Sequence, residues 1–443
     1  MTQLVRTLRL RDLVFIFVGG VIGSGIFLTP GIILRQVNGS AGMALLVWAA
    51  GGALITLGSL TYAELAAANP EAGGLYCYIR DGFGRAAAFL CGWSLLLIMA
   101  SGAEAALARA FARYAAEIIP LSPAEMTAIA VAAIVALTVV NVWGTRKSSN
   151  LQNYATVIKV GIILAFGIGL LALGHHGREL PSAMGATQTG FSLFSSLGLA
   201  MITVLWAYEG WQYAACSAGE VLQPQKDIPR AFFFGAMALT AIYLLMVLAY
   251  LFALGPVAAT ASDAIAATAG TAILGPWAGK LIALTVLVAT LSAANGLLLT
   301  APRVFYAMAN DKLFFKGLAA VHPKFRTPAA AIICMGAWSI VLACVGKFSE
   351  LIGGVVFVGW IFYGLGAAAI FPLRRKSRGK AIPYRVPGYP WTPLLFVVAA
   401  GSIVGNAIYA AFRDPGQFKN LAVAIVLLLL GLPAYFFWRK KNA

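Results

Sequence analysis

The sequence predicts an all-α integral membrane protein with twelve transmembrane helices. Of its 443 residues, 61% are hydrophobic and only 11% are charged, whereas soluble domains average roughly 45–50% and roughly 25%. The mean hydropathy is +0.86. A soluble core of this length could not bury so much apolar surface, so the composition excludes a soluble enzyme, a disulfide-stabilised scaffold and a disordered chain.

Apolar runs between charged or Pro/Gly-rich breaks define the twelve helices, each long enough to cross a hydrocarbon layer of about 30 Å. No intervening loop is long enough for a soluble domain, so residues 1–443 are predicted to form a single transmembrane domain. The predicted spans are 12–36, 42–68, 86–117, 124–144, 151–173, 191–219, 229–255, 272–308, 328–346, 350–372, 391–412 and 420–438.

The distribution of Lys and Arg predicts that both termini are cytoplasmic. An even number of spans places the termini on one side of the membrane, and 23 of the 32 Lys and Arg residues fall on that side. Eight fall on the other side, and Lys159 lies inside a span. The positive-inside rule makes the terminal side cytoplasmic, and we expect a multi-pass protein of the inner (plasma) membrane. The same bias explains the net charge of +17 without a nucleic-acid partner.

The cysteines and histidines indicate neither a metal site nor a disulfide framework. The five cysteines have no CxxC or other metal-ligand spacing. All three histidines fall in predicted loops, so no catalytic pair or metal centre is indicated within the membrane. We therefore expect no cofactor and no enzyme activity.

The first span contains a predicted break at Gly23-Ser24-Gly25, inside the segment FVGGVIGSGIFLTPG. Glycine costs about 1 kcal/mol of helix propensity relative to alanine, so the clustered glycines weaken the middle of the span. Irregular backbone at membrane depth is tolerated only where it is buried in protein or lines a cavity. The alternative is close helix packing, because Gly19 and Gly23 form a GxxxG pair.

The sixth span carries a second predicted irregularity, at Glu209 and Gly210. A carboxylate in the middle of a span costs about 2.5–3.5 kcal/mol on insertion scales, so it needs a function or a partner. Aromatic residues surround it, namely Trp206, Tyr208 and Trp211. The alternative is a structural polar residue that faces another helix.

The two irregularities occupy corresponding positions in two halves of five helices each, 12–173 and 191–372, which the last two helices follow at 391–438. Paired interruptions of this kind predict a transporter built from inverted repeats. A broken helix leaves free N–H groups on one half and free C=O groups on the other. The N–H end attracts a carboxylate and the C=O end attracts an ammonium. Two adjacent breaks therefore match the two charged ends of an amino acid.

The fifth span contains Lys159, eight residues after Leu151 and therefore about 12 Å deep at about 1.5 Å per residue. The structural alternative is that its ammonium reaches back to the membrane surface. The functional interpretation is a fixed cation inside the bundle. Such a lysine replaces a bound sodium ion or titrates during transport, and the sequence leaves both roles open.

Other charged residues are expected to be structural or solvated. Glu64 and Glu104 are predicted to lie near a membrane surface, with Arg109 close to Glu104. A charged loop, expected to be solvated or paired with other loops, comprises Glu220, Lys226, Asp227 and Arg230.

Four segments resemble the amino acid–polyamine–organocation transporter superfamily, most closely its L-type amino acid transporter branch and the bacterial relatives of that branch. The similarity runs from about residue 8 to residue 400. It implies the LeuT fold, with helices 1–5 and 6–10 as inverted repeats and helices 11 and 12 at the periphery. The segments are GVIGSGIF at 20–27, EAGGLYCYIRDGFG at 71–84, LWAYEGW at 205–211 and RVFYAMANDKLFFKGLAAVHPKFRTP at 303–328.

The resemblance also implies a substrate site at the two breaks. The backbone of the first break would bind the substrate carboxylate, and carbonyl groups of the sixth span, with that of Ile22, would bind the amine. Lys159 aligns with a lysine that occupies the sodium position in relatives, and Ser292 and Ala293 lie on the segment that faces it. The implied substrate-binding residues are Ile22, Gly23, Ser24, Gly25, Ile26, Trp206, Ala207, Tyr208, Glu209 and Gly210.

We therefore expect a sodium-independent amino-acid transporter that works by alternating access, as an exchanger or a proton-coupled symporter of small neutral L-amino acids. If Glu209 faces the site, a cationic amino acid or a polyamine becomes the alternative substrate. Mammalian members of the branch join a glycoprotein heavy chain through a cysteine between spans three and four. Residues 112–125 contain no cysteine, so no disulfide-linked heavy chain is expected.

Overall fold

The computed structural model of the protein is helical almost throughout. Across the part of the chain that it describes, the one extended pairing is a parallel bridge between Leu8 and Val221. This confirms the predicted all-α class. The described residues are 4–176, 190–346, 348–377, 382–413 and 415–441.

The helices follow one another with short connections. The first eight α-helices are α1 (Leu10–Val21), α2 (Gly25–Gln36), α3 (Ala41–Ala68), α4 (Leu75–Phe83), α5 (Arg85–Ser94), α6 (Ala100–Ala116), α7 (Pro123–Val142) and α8 (Thr145–Leu173). The remainder are α9 (Gly190–Ala207), α10 (Pro224–Ala261), α11 (Ile265–Leu274), α12 (Ala278–Thr300), α13 (Pro302–Asn310), α14 (Ala329–Val345), α15 (Phe348–Ala368), α16 (Ile370–Lys376), α17 (Trp391–Ala411), α18 (Pro415–Leu429) and α19 (Gly431–Lys441). A π-helical turn (Leu95–Met99) joins α5 to α6, and two 3-10 segments occupy Trp211–Glu220 and Lys316–Ala319.

Ten of the twelve predicted spans are long and apolar enough to cross a membrane in the described ranges. Nine are continuous, and α1 with α2 forms the tenth, bent by 46°. The sixth predicted span corresponds to α9 and the 3-10 segment Trp211–Glu220. The ninth corresponds to α14, which has 17 residues and is shorter than the other spans. The chain is thus a multi-pass membrane protein.

The eighth predicted span, 272–308, is wrong at its start. The helix that covers it begins at Ala278, and residues 272–274 instead end the separate helix α11. Gly275 has φ +88° and Pro276 follows it. Glycine adopts this left-handed backbone without steric cost, and proline cannot continue a helix that precedes it, so the pair separates the two elements.

Helix α1 lies at the centre of the bundle, where it packs against α8, α10, α12 and the segment Trp211–Glu220. Helix α10 also packs along α3, and α12 packs along α6. The break itself, residues 21–27, is therefore buried among these helices, whereas Ile32 further along α2 is 36% exposed. This position meets the requirement that irregular backbone at membrane depth be buried in protein.

The end of the bundle that carries the N-terminus is closed by hydrogen bonds around Glu220. The N–H groups of Thr7 and Leu8 donate to the Glu220 carbonyl at 2.8 and 3.0 Å. The Glu220 side chain is 1% exposed and accepts from Arg303 Nε at 2.6 Å and from Thr145 Oγ1 at 2.8 Å. Of the two alternatives expected for Glu220, solvated or paired with other loops, the solvated one is wrong: Glu220 is paired, with partners on the helices α13 (Arg303) and α8 (Thr145).

Candidate functional site

The first span breaks where Gly-Ser-Gly predicted it. Helix α1 ends at Val21 and α2 begins at Gly25, with Ile22 extended at φ −70° and ψ 92°. Gly25 lies against the sixth span so closely that a Cβ on it would be 2.6 Å from Ala207 Cα. The two irregular segments are therefore in direct backbone contact.

The sixth span breaks at Gly210. Helix α9 ends at Ala207, Gly210 has φ +119°, and the chain continues as a 3-10 helix from Trp211. A Cβ on Gly210 would lie 2.7 Å from the carbonyl oxygen of Gly20. Position 210 therefore requires glycine for two reasons: the backbone is left-handed there, and a side chain would collide with the first span.

A cavity of about 40 Å³ lies where the two breaks meet. Seven of the thirteen site residues predicted from the sequence line it, namely Gly23, Ser24, Gly25, Trp206, Glu209, Gly210 and Ala293. The sequence did not identify the others, which are Ile16, Gly20, Val21, Ala103, Leu107, Tyr213, Ala214, Gly296, Leu297 and Thr300. Most of these are small or apolar and carry no chemical signature that would single them out.

The carboxylate-binding half of the predicted site has unpaired donors. Since α2 begins at Gly25, its first N–H groups have no acceptor within the helix. The Ser24 hydroxyl lines the cavity, is 1% exposed in the folded chain, and has no hydrogen-bond partner among the described residues. A helix N-terminus with an unpaired hydroxyl favours an anion.

The amine-binding half is formed by carbonyl groups that already accept one hydrogen bond each. The Ala207 carbonyl accepts from Tyr243 Oη at 2.8 Å, and the Trp206 carbonyl accepts from the Glu209 N–H at 3.1 Å. A carbonyl oxygen has two lone pairs, so one accepted hydrogen bond does not saturate it. The Tyr208 side chain lies outside the cavity, because its hydroxyl donates to the Trp48 carbonyl at 3.2 Å.

Lys159 is buried and fixed to the end of α1. Its side chain is 0% exposed, and Nζ donates to the carbonyls of Gly19 and Ile22, both at 2.6 Å. The alternative of an ammonium that reaches the membrane surface is wrong. The contacted carbonyls belong to the C-terminal end of a helix, where the backbone dipole favours a cation.

The remaining predicted residues do not touch the cavity. Ile22 contributes its carbonyl to Lys159, and the Ile26 side chain is buried in the core. Ser292 Oγ has no hydrogen-bond partner among the described residues, so it does not bond to Lys159. Its neighbour Ala293 does line the cavity and lies opposite Gly23.

Glu209 is held at the cavity wall by two side chains that the sequence analysis did not identify. Gln212 Nε2 donates to Glu209 Oε1 at 2.6 Å, and Tyr363 Oη donates to the same oxygen at 2.5 Å. Gln212 follows three residues after Glu209, a spacing that could have identified it. Tyr363 is 154 residues away in the sequence, so no local pattern points to it.

Glu104 does not have the surroundings that its sequence suggests. It is 0% exposed within α6, and neither carboxylate oxygen has a hydrogen-bond partner in the described part of the chain. Arg109 instead donates to the Ala343 carbonyl. Glu64 is paired, because Arg374 donates to both of its oxygens at 2.7 and 2.6 Å.

A metal centre built from His, Cys, Asp or Glu side chains has no candidate in the described ranges. No group of three or more His, Cys, Asp or Glu side chains is placed there to hold an ion. The polar groups at the two breaks are hydrogen-bond donors and carbonyl oxygens, which suit an amino acid.

The chain is similar in sequence to known transporters. The profile of a family described as amino acid permease matches residues 8–431. The chain is 32% identical to the serine/threonine exchanger SteT of Bacillus subtilis, over 96% of this chain and 95% of that protein. It is 33% identical to the b(0,+)-type amino acid transporter 1 of Mus musculus, over 98% of this chain and 88% of that protein. It is 32% identical to the Asc-type amino acid transporter 1 of Homo sapiens, over 96% and 81%.

Proposed function

The chain belongs to the amino acid permease family and is a membrane transporter of amino acids, not an enzyme, and from this we propose that it is a sodium-independent exchanger of small neutral L-amino acids that works by alternating access. The observation that carries the proposal is the cavity between two touching helix breaks, with a buried lysine fixed to the carbonyl end of one break. The LeuT fold, which is consistent with the family, uses such breaks at the bundle centre.

The substrate backbone spans the two breaks in this proposal. Its carboxylate is bound by the free N–H groups at the start of α2 and by the Ser24 hydroxyl, which has no protein partner among the described residues. Its ammonium donates to the carbonyls at the end of α9 and to that of Ile22, each of which has a second lone pair. The substrate thereby supplies hydrogen-bond partners to the N–H and C=O groups that have none within the broken helices.

The substrate side chain is small and uncharged in this proposal. The cavity volume of about 40 Å³ is far below the 300–1,000 Å³ that is typical of pockets for drug-sized ligands. Ala103, Leu107, Ala293 and Leu297 form part of its wall. Apolar side chains of this kind accept a methyl or hydroxymethyl group and offer nothing to an extended charged one.

Lys159 is the substitute for a sodium ion. Backbone carbonyl oxygens at a broken helix are the ligands with which a transporter of this architecture binds a cation. In this chain the ammonium of Lys159 already contacts two of them, at Gly19 and Ile22. The proposal therefore needs no sodium to stabilise the end of α1.

Glu209 supports a second candidate function, the transport of a cationic amino acid or a polyamine. Its carboxylate lines the cavity beside both breaks, where it would attract a second positive group on the substrate. Uptake of labelled alanine in the presence of competing arginine, putrescine, serine or threonine separates the candidates. Strong competition by arginine or putrescine, with none from serine, would favour the second function.

The proposal includes an orientation and an internal symmetry. Residues 12–173 and 191–372 form the two inverted repeats, 391–438 form the peripheral helices, and both termini lie in the cytoplasm of a cell with this protein in its plasma membrane. No disulfide-linked heavy chain is needed, since residues 112–125 contain no cysteine.

The test is uptake of labelled alanine into proteoliposomes without sodium, with and without unlabelled amino acid inside. We expect uptake only in loaded vesicles. Uptake into empty vesicles driven by a proton gradient would instead identify a symporter, with Lys159 or Glu209 as the candidate proton site. A requirement for sodium would contradict the role proposed for Lys159.

A further inference from the structure

A second pocket lies apart from the substrate cavity, at the end of the bundle where α5 begins and where α13 and α19 end. Its volume is about 790 Å³. It is lined by Arg85, Asn310, Asp311, Lys312, Leu313, Tyr435, Trp438 and Arg439. None of these residues takes part in the proposed transport site.

The pocket is positively charged. Three cationic side chains line it, those of Arg85, Lys312 and Arg439, against the single carboxylate of Asp311. That carboxylate accepts from Arg80 Nη1 at 3.0 Å and from Tyr76 Oη at 2.8 Å, and Arg80 also pairs with Glu71 and Asp81. The side chains that line the pocket carry more positive than negative charge, three cations against one carboxylate. Burial and then the charge of Asp311 raise the pKa of Tyr76, which keeps the donated proton on the phenol.

The guanidinium of Arg85 is fixed at the pocket wall. Its Nη2 donates to the backbone carbonyl of Asp311 at 2.5 Å. This bond joins the first residue of α5 to the residue after α13. Arg85 is exposed, and its remaining N–H groups can donate to phosphate oxygens.

One wall of the pocket is aromatic and continues into an exposed apolar surface. Trp438 stacks on Phe314, with ring centroids 5.4 Å apart and planes at 30°. Beyond it, Leu432, Phe436 and Phe437 on α19 are 41%, 59% and 61% exposed. In a membrane protein such side chains face the acyl chains, while Trp and Tyr lie at the level of the headgroups.

We propose that this pocket binds the phosphate headgroup of an anionic phospholipid, with its acyl chains along the exposed face of α19. Basic pockets between transmembrane helices bind anionic headgroups, and Arg pairs well with phosphate oxygens. The adjoining apolar face of α19, with Leu432, Phe436 and Phe437, favours a lipid over a free phosphate compound, because the acyl chains of a lipid held at the pocket also contact this face, whereas a soluble anion gains nothing from it. The site is independent of the proposed transport chemistry.

The test measures lipid binding to the full-length purified protein by native mass spectrometry, with phosphatidylglycerol, phosphatidylcholine and soluble glycerol phosphate as probes. The variant is Arg85→Ala with Arg439→Ala. We expect it to weaken phosphatidylglycerol binding about thirtyfold, because each of the two cations near the headgroup contributes about a fivefold factor in affinity. Binding of phosphatidylcholine should be weak in both proteins.

The matched control is Lys324→Ala with Arg375→Ala, which removes the same net charge from exposed side chains outside the pocket. It should keep wild-type affinity within about twofold. An equal loss of phosphatidylglycerol affinity in the control would mean that the lipid is attracted by surface charge in general, and it would contradict a specific site at this pocket. Glycerol phosphate that binds as tightly as the lipid would overturn the choice of ligand. If the double variant fails to fold, Arg439→Glu alone tests the same prediction on an exposed side chain.

Discussion

Lys159 illustrates what a single charged residue contributes at the centre of this bundle. Its two carbonyl contacts, at Gly19 and Ile22, tie the fifth span to the end of the first helix segment. The sequence predicted a buried cation from its depth in the span and predicted the break from the glycines. It could not predict that the two features meet, because 137 residues separate Lys159 from Ile22.

Replacing Lys159 by alanine should abolish most transport while the protein still folds. The substitution leaves two buried carbonyls without a donor, which costs about 1–3 kcal/mol each, and removes the fixed cation from the end of α1. The measurement is alanine exchange in proteoliposomes, with monodispersity in size-exclusion chromatography as the folding check. Lys147→Ala is the matched control, since Lys147 lies on the same helix and is exposed. Normal exchange in Lys159→Ala would remove Lys159 from the mechanism.

Two buried glutamates should respond in opposite directions to the same substitution. Glu104→Met removes two oxygens that have no partner among the described residues, so it should raise the free energy of unfolding by about 1–3 kcal/mol. Glu220→Met removes one partner of the buried ion pair with Arg303 and should lower it by about 3–5 kcal/mol. Thermal unfolding in one detergent checks both.

Loss of transport in Glu104→Met with unchanged stability would contradict a purely structural interpretation of Glu104.

The sequence suggested that Arg109 lies beside Glu104, but five residues correspond to about 140° around a helix. The two side chains therefore leave different faces of α6. For Glu220 the sequence left solvation and pairing open, and it could not identify the partner because Arg303 is 83 residues away.

At the scale of the elements, the break in each span follows from glycine. Gly25 lies against Ala207 without room for a side chain, and Gly210 needs a left-handed backbone. The first break was predicted because clustered glycines weaken a helix, and the second because Glu209, beside Gly210, places a carboxylate in the middle of a span. The 3-10 form of Trp211–Glu220 was not predicted, since its residues do not differ in composition from those of an α-helix.

Gly25→Ala should separate the two breaks and reduce exchange strongly. Its Cβ would lie 2.6 Å from Ala207 Cα, and overpacking of this kind costs about 1–3 kcal/mol. Gly161→Ala is the control, because a Cβ on Gly161 meets no atom within 4 Å, and it should raise the free energy of unfolding by up to about 1 kcal/mol because alanine favours the helix. The kinetics of alanine exchange and the melting temperature of both variants check the prediction. Equal behaviour of the two variants would contradict the close approach of the breaks.

At the scale of the whole molecule, the membrane topology follows from composition and charge. Ten spans were predicted as long apolar runs and are present as such. The separation of α11 from α12 was missed, because the Gly275-Pro276 break lies inside one apolar stretch. From the sequence, the site could be predicted only as two helix breaks and a lysine. The cavity walls that α6 and α12 supply are small or apolar residues, and only the packing of the helices shows that they line the cavity.

The proposed orientation, with both termini in the cytoplasm, predicts which cysteine is reactive from outside the cell. Cys344 is exposed near the end of α14, Cys334 is partly buried, and the other three cysteines are buried. A membrane-impermeant maleimide should therefore label intact cells at Cys344, and Cys344→Ser should abolish the signal. Labelling that appears only after the membrane is opened would place the termini on the outside and contradict the charge bias.

The hydrogen bonds at the closed end of the bundle have a consequence for isotope exchange. The amides of Thr7 and Leu8 donate to Glu220, and that of Leu222 donates to Leu8. If transport opens the cavity toward this end, these three amides are released at each opening, while those within α10 stay protected. In deuterated buffer, the exchange rate of these amides would report how often the protein opens at this end without substrate. A substrate that favours the closed form would lower this exchange rate.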